Sequence, residues 1–273
     1  MTKLQIPCSY QGGKQKIAGE IVDIFFNREK IDDNTKFYDL CCGSGSVSVE
    51  LINRGVNPQN ITMIDSSVWG VLWRSIGEGK FDIDRFEKLL LEIPSDVAKV
   101  KSYMDNLAKK NPTIDTEYVF LILQSASFGG KALWIEEDRW KTQGFRDYWL
   151  PTETSIRRSP VNPMSPMPET LLNRVKELVV KAVGVKGIHE NVFNFNKFSE
   201  NSLIYIDPPY ANTTGYGHSI DILEYVRKID KKIYVSEGKK ISDSAIEISK
   251  SKKSGITGKR KSPNEEWINI FNE

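Results

Sequence analysis

The chain has 273 residues, 39% of them hydrophobic and 27% charged, with 38 Lys and Arg set against 36 Asp and Glu. That length supports one substantial α/β core with a smaller appended domain, and the near balance of charge neither demands nor excludes a nucleic-acid partner. Three cysteines, two of them adjacent, exclude a disulfide framework, and no apolar run approaches the roughly 18 residues of a membrane span or forms a signal-peptide core, so a reduced, cytoplasmic setting is expected.

Residues 1–14 read as a loop ending in Gly12-Gly13-Lys14. Ile17, Ile21, Ile24 and Phe25 then recur at helical spacing and predict a helix over about 15–28. Lys36 to Cys41 reads as a short buried strand. A Gly-Ser-Gly-Ser turn follows it, then a helix through Val47, Leu51 and Ile52 to Gly55, then an apolar strand from Ile61 to Ile64 ending at Asp65. Strand, glycine turn, helix and strand make a βαβ unit, the opening of a parallel sheet. Residues 68–127 read as mostly helical. Residues 128–168 carry few core-like runs but many Gly, Trp, Arg and Pro, and this mixture of aromatic and basic side chains favours a surface that faces nucleic acid. An amphipathic helix returns from Glu169 to Val183. Strands are expected over 191–198, 202–206, 232–236 and 267–271, with a helix over 219–229. The stretch 228–261 holds 11 Lys and Arg against 4 Asp and Glu, a solvated surface or one face of a DNA cleft.

Two constellations carry chemistry. In Tyr38-Asp39-Leu40-Cys41-Cys42-Gly43-Ser44-Gly45-Ser46 the glycines stand between a strand and a helix, where the backbone can approach a ligand and the helix N-terminus favours negative groups. Asp65, 20 residues beyond Gly45, ends the next strand and can accept both ribose hydroxyls of a nucleotide-like cofactor. The second constellation is Asp207-Pro208-Pro209-Tyr210, directly after the apolar run Leu203 to Ile206. The strand delivers a carboxylate to the carboxyl edge of the sheet, and the two prolines stiffen the turn. Asp207 and the Pro208 carbonyl offer two acceptors to one amino group, and Tyr210 offers a stacking face for its ring. A planar exocyclic amine needs this help, because its lone pair is delocalised. Hydrogen bonds from both N–H groups favour a more tetrahedral nitrogen that can attack an electrophilic methyl. Neither His189 nor His218 has ligand partners at metal spacing, and no metal is expected.

With these pieces in order, the chain resembles the Dam-like class of DNA N6-adenine methyltransferases. Tyr10-Gln11-Gly12-Gly13-Lys14 is similar to the aromatic-x-Gly-Gly-Lys motif of that class, Asp39 to Gly45 to its cofactor loop, and Asp207 to Tyr210, followed by Thr213 and Tyr216, to its catalytic tetrapeptide. Phe128-Gly129-Gly130 is similar to the segment that opens its target-recognition region. Four positions depart from the pattern: Cys41 replaces the usual Phe, Asn196 stands where an acidic residue commonly reads the cofactor's adenine, and Gly129 and Leu133 lie where some relatives carry base-contacting polar or basic side chains.

The resemblance implies a Rossmann-like S-adenosylmethionine-dependent methyltransferase fold. Its catalytic domain would be discontinuous, 1–67 and 168–273, around a mostly helical target-recognition domain, 68–167. It implies S-adenosyl-L-methionine as cofactor, double-stranded DNA as partner and a monomer. Asp207, Pro208 and Tyr210 would be catalytic, acting on an adenine extruded from the duplex. Tyr10, Gly13, Lys14, Asp39, Cys41, Gly43, Gly45, Asp65, Asn196, Phe198 and Asp207 would surround the cofactor. Lys14, Phe128, Gly129, Gly130, Lys131, Arg139, Arg157, Arg158 and Tyr216 would contact DNA. By analogy, a chain without a restriction domain resembles a solitary or phage-type enzyme. Two alternatives stay open from sequence: an RNA adenine or N4-cytosine methyltransferase, since the tetrapeptide serves any conjugated amine, and a DNA-binding decoy that has lost catalysis.

Overall fold

A computed structural model describes residues 3–209, 221–251 and 264–273. The chain opens with helix α1 (Ala18–Arg28), then strand β1 (Lys36–Leu40), helix α2 (Ser46–Asn53) and strand β2 (Ile61–Asp65). Four helices follow: α3 (Val68–Gly77), α4 (Ile83–Leu91), α5 (Val97–Leu107) and α6 (Thr116–Ala126). A short hairpin, β3 (Trp134–Glu136) and β4 (Arg139–Lys141), precedes α7 (Pro168–Lys181) and β5 (Lys186–His189). The remaining elements are β6 (Ser202–Ile206), α8 (Ile222–Arg227), β7 (Ile233–Glu237), β8 (Ser244–Ser251) and β9 (Asn264–Phe271).

Seven strands form one sheet in the order β5-β2-β1-β6-β7-β9-β8. The first five are parallel; β9 runs antiparallel to β7, and β8 antiparallel to β9. The chain winds outward from β1 through β2 to β5, then crosses back to place β6 on the other side of β1. The order therefore reverses between β1 and β6, and a crevice opens beyond their carboxyl ends at such a switch point. The register aligns those ends: Leu40 pairs with Ile64 and Ile206, Asp65 pairs with His189, and Asp207 N–H donates to the Leu40 carbonyl at 3.1 Å.

Central parallel strands are covered on both faces, so their residues are mostly apolar rather than alternating with polar ones, with Asp39 a buried exception in β1. Alternation still sorts them between two cores. Phe37, Met63, Tyr205 and Tyr234 enter one core with α1, α3, α6 and α7, whereas Tyr38, Ile64, Ile204, Ile206 and Val235 enter the other with α8. Helix α6 is apolar around most of its circumference and is buried accordingly.

Helix α3 follows Asp65 directly and lies flush on β2 and β5. The contact is backbone against backbone: a Cβ on Gly77 would stand 1.9 Å from the Val185 carbonyl oxygen, and one on Gly187 would stand 2.0 Å from Arg74 N. The sequence places this helix within the segment 68–167, yet it forms a layer of the sheet.

The strand expected over 191–198 is not formed. Asn191 instead caps a 3-10 turn (Val192–Asn194), its Oδ1 accepting from Phe193 N–H at 3.0 Å, and the parallel strand is the preceding β5. The regular spacing of Phe193, Phe195 and Phe198 reflects an aromatic cluster with Tyr38 and Tyr225. Strand β8, within the basic stretch, is a further element that periodicity did not reveal. Among the described residues no helix is long and apolar enough to cross a membrane.

Candidate active site

One cavity of about 740 Å³ opens at the carboxyl edge of the sheet, over the switch point. Its volume suits a nucleoside-sized ligand or larger. Four walls enclose it: residues 10–14, the turn after β1, the adjacent ends of β2 and β5, and the Asp207-Pro208-Pro209 corner after β6. A fifth wall comes from Ala132, Leu133, Trp134 and Ile135.

The turn after β1 is held by its neighbours. Cys41, Gly43 and Gly45 all have positive φ, so the chain bends sharply before α2 begins. Gly43 N–H donates to Asp65 Oδ2 at 2.8 Å, while Asp65 Oδ1 accepts from Ser67 N–H and Ser67 Oγ. A carboxylate offers about four acceptor positions, so Asp65 keeps capacity for a ligand hydroxyl while it locks the turn. The Trp73 indole donates to the Gly43 carbonyl at 3.0 Å. Gly45 points the other way: its Cβ would lie 2.4 Å from Trp73 Cζ2 and 2.7 Å from Met63 Cε, so it seats the turn on the core and does not line the cavity. Tyr10 covers Gly43 and meets Trp69 edge-on, with ring centroids 5.5 Å apart.

Three acidic groups share this edge. Asp39 is buried and accepts from Ser48 Oγ at 2.6 Å; burial pushes its carboxyl up to about 7 against that bond, with the charge of Asp207 adding. Burial likewise pushes Asp207 up to about 6, with Glu266 and Glu237 adding and Lys14 opposing. The Lys14 ammonium, itself buried, donates to Asp207 Oδ1 at 2.5 Å and to the Gly12 carbonyl at 2.9 Å, and Glu266 lies 3.7 Å away. A low-dielectric site keeps such interactions strong.

Of the residues singled out from sequence, Tyr10, Gly13, Lys14, Asp39, Cys41, Gly43, Asp65, Asp207 and Pro208 line this one cavity. Asn196 and Phe198 do not. Phe198 packs edge-on against Tyr38 at 5.0 Å. The cavity instead receives Glu190, Asn191, Val192 and Phe193 from the end of β5, beside Asp65. β5 carries little pattern of its own, and the one signal beside it is the acidic Glu190 that directly follows His189. Lys131, Arg139, Arg157 and Arg158 are exposed and lie outside the cavity; Arg158 donates to the Glu153 carbonyl and Lys131 to Gln143. Phe128, Gly129 and Gly130 form a 3-10 turn just ahead of the fifth wall. Tyr210 and Tyr216 lie outside the described residues. Cys8, Cys41 and Cys42 are free thiols. Among the described residues no group of three His, Cys, Asp or Glu side chains is arranged to hold a metal ion.

A carboxylate on a proline-stiffened corner thus stands on the same cavity as a glycine turn pinned by a second carboxylate. Residues 10–68 match the family model for D12 class N6 adenine-specific DNA methyltransferases. The match supports DNA adenine-N6 methyltransferase activity for this chain. It runs from Tyr10 through β2 and the pinned turn to the start of α3, and so covers one side of the cavity. No curated protein matches the chain.

Proposed function

We propose that the chain transfers a methyl group from S-adenosyl-L-methionine to N6 of an adenine flipped out of duplex DNA. The observation that carries this reading is that Asp207 and Asp65 line one cavity across the β1–β6 switch point. The strand order supports a Rossmann-like methyltransferase core made of residues 1–67 and 168–273. We read the 68–167 segment as carrying target recognition on its part beyond α6, with α3 joined to the sheet.

The residues present fit the cofactor. Gly43 leaves its Cβ position bare beside the Tyr10 ring, Asp65 retains acceptor capacity for ribose hydroxyls, and Phe193 and Glu190 border the same space with an apolar and an acidic side chain. S-adenosylmethionine supplies a methyl already activated on a sulfonium. Asp207 and the Pro208 carbonyl accept the two N–H bonds of the target amine and orient its lone pair, and Tyr210 stacks on the ring. The stiff corner fixes these acceptors before the base arrives, so alignment and hydrogen bonding carry the acceleration. Lys14 releases an oxygen of Asp207 as the amine enters. A base inside the duplex cannot reach a cavity this deep, which requires extrusion.

Incubation with tritiated S-adenosylmethionine and plasmid DNA free of N6-methyladenine, followed by digestion to nucleosides, tests the reading. Label is expected in N6-methyldeoxyadenosine. Label in N4-methyldeoxycytidine, or none above an Asp207→Ala control, would overturn it.

A further inference from the structure

Gln124 is buried at the end of α6, 1% exposed, and uses both ends of its carboxamide. Its Nε2 donates to Ser127 Oγ and the Lys131 carbonyl at 3.1 Å each, with the Gly130 carbonyl at 3.4 Å, and its Oε1 accepts from Leu133 N–H at 3.2 Å. Ser127 Oγ adds a bond to the Lys131 carbonyl at 3.0 Å. One side chain thus ties together a turn whose glycines, Gly129 and Gly130, are both at positive φ, adding to the backbone bonds from Gly130 N–H to Ser127, Lys131 N–H to Phe128 and Phe128 N–H to Gly144. The turn rests on the N-terminal segment, where a Cβ on Gly130 would lie 3.4 Å from the Ser9 carbonyl oxygen. The residues that follow, Ala132 to Ile135, are the fifth wall of the cavity.

We propose that Gln124 is a positioning residue for DNA: its carboxamide fixes the 127–133 turn, so that Leu133 and Trp134 stand as the wall against which the target base is received. The inference rests on the methyltransferase reading. Removing a buried amide deletes several bonds at once and takes the side-chain partner from Leu133 N–H and the Gly130 carbonyl, while the Lys131 carbonyl keeps its bond from Ser127 Oγ. The wall then has no fixed position, whereas Asp207 and Pro208, on a different strand, are untouched. Binding of DNA therefore suffers and the chemical step does not.

The test compares wild type with Gln124→Leu for methyl transfer to plasmid DNA free of N6-methyladenine, and for binding of the same DNA in the presence of S-adenosylhomocysteine. The KM for DNA is expected to rise about tenfold or more, with kcat within about threefold, since each 1.4 kcal/mol of lost binding is a factor of ten. The affinity for DNA should fall in parallel. A bracket that served folding alone would lower the active fraction, and hence kcat, and leave KM unchanged; that result would overturn the proposal. If Gln124→Leu does not fold, Ser127→Ala carries the test, with a rise in KM of about threefold expected and an unchanged KM overturning it. Wild type that neither binds S-adenosylhomocysteine nor methylates DNA would overturn the methyltransferase reading and this inference with it, whereas active wild type beside an unaffected variant overturns the inference alone.

Discussion

The Lys14 ammonium sits 2.5 Å from Asp207 Oδ1, so the carboxylate proposed to grip the target amine already holds a cation. The two residues are 193 positions apart in sequence and meet only because the N-terminal loop folds over the end of β6. Lys14 also opposes the upward push of burial on Asp207. Replacing it with Met removes that opposition, so the carboxyl titrates above its present value of about 6. The acid limb of kcat/KM should move to higher pH, and methyl transfer at pH 7 should fall about tenfold. A profile with an unmoved limb would show that Lys14 does not set the charge of Asp207.

The wild-type profile follows from the same group. Asp207 is the stronger acceptor for the amine as a carboxylate, since protonation turns one of its oxygens into a donor, and its raised value places the loss of that form near pH 6. Methyl transfer should be level above pH 7 and decline as the pH falls through about 6. Asp207→Asn should lower kcat by about 100-fold or more at every pH while S-adenosylhomocysteine still binds, as calorimetry can measure.

Asp39 makes a prediction about stability. Its carboxyl is raised from 3.8 to about 7, so between those values the folded state holds a proton that the unfolded state has released. Stability contributed by this group is therefore lost as pH rises from about 4 to about 7 and is constant above that. Asp39→Asn keeps an oxygen for Ser48 and abolishes the titration. Its Tm should exceed that of wild type by more at pH 8 than at pH 5, by thermal denaturation at matched ionic strength.

Two glycines of one turn should fail in different ways. Gly45→Ala drives a methyl group into Trp73 and Met63 at positive φ, and should cost about 1–3 kcal/mol of stability in urea denaturation. Gly43→Ala places its methyl 3.1 Å from the Tyr10 ring, a side chain that can shift, on the cavity side. That variant should fold and lose affinity for S-adenosylhomocysteine by more than Gly45→Ala does.

The ends of the central strands were legible because buried strands are mostly apolar runs, and an acidic residue or a glycine turn directly after the run marks the carboxyl edge. Asp65 and Asp207 stand out in this way, and the glycines after Leu40 announce the turn. The edge strands were not legible. Strand β5 (Lys-Gly-Ile-His) lies at one border with no fully buried side chain, so it has too little pattern to compete with the aromatic spacing that follows it. Glu190 to Phe193 were missed for that reason. At the other border β8 reads as part of a basic surface run. Leu133 and Trp134 stood out only as part of a segment facing nucleic acid; their place on the cavity was hidden because it depends on Gln124, a contact that carries no local periodicity. The junction of α3 with the sheet rests on Gly77 and Gly187, which in sequence look like ordinary helix and strand defects.

The excursion that leaves α6 returns almost to its point of departure: Ser165 N–H donates to the Ser125 carbonyl at 2.9 Å, and Arg146 N–H to the Ala126 carbonyl at 3.0 Å. Some forty residues, bearing the exposed arginines and the hairpin, thus hang from a gate one hydrogen bond wide. Between the buried anchors Leu133, Trp140, Phe145 and Met164, its exposed loops can lengthen or shorten at little cost to β1, β6 or the acidic edge between them, because the ends stay closed.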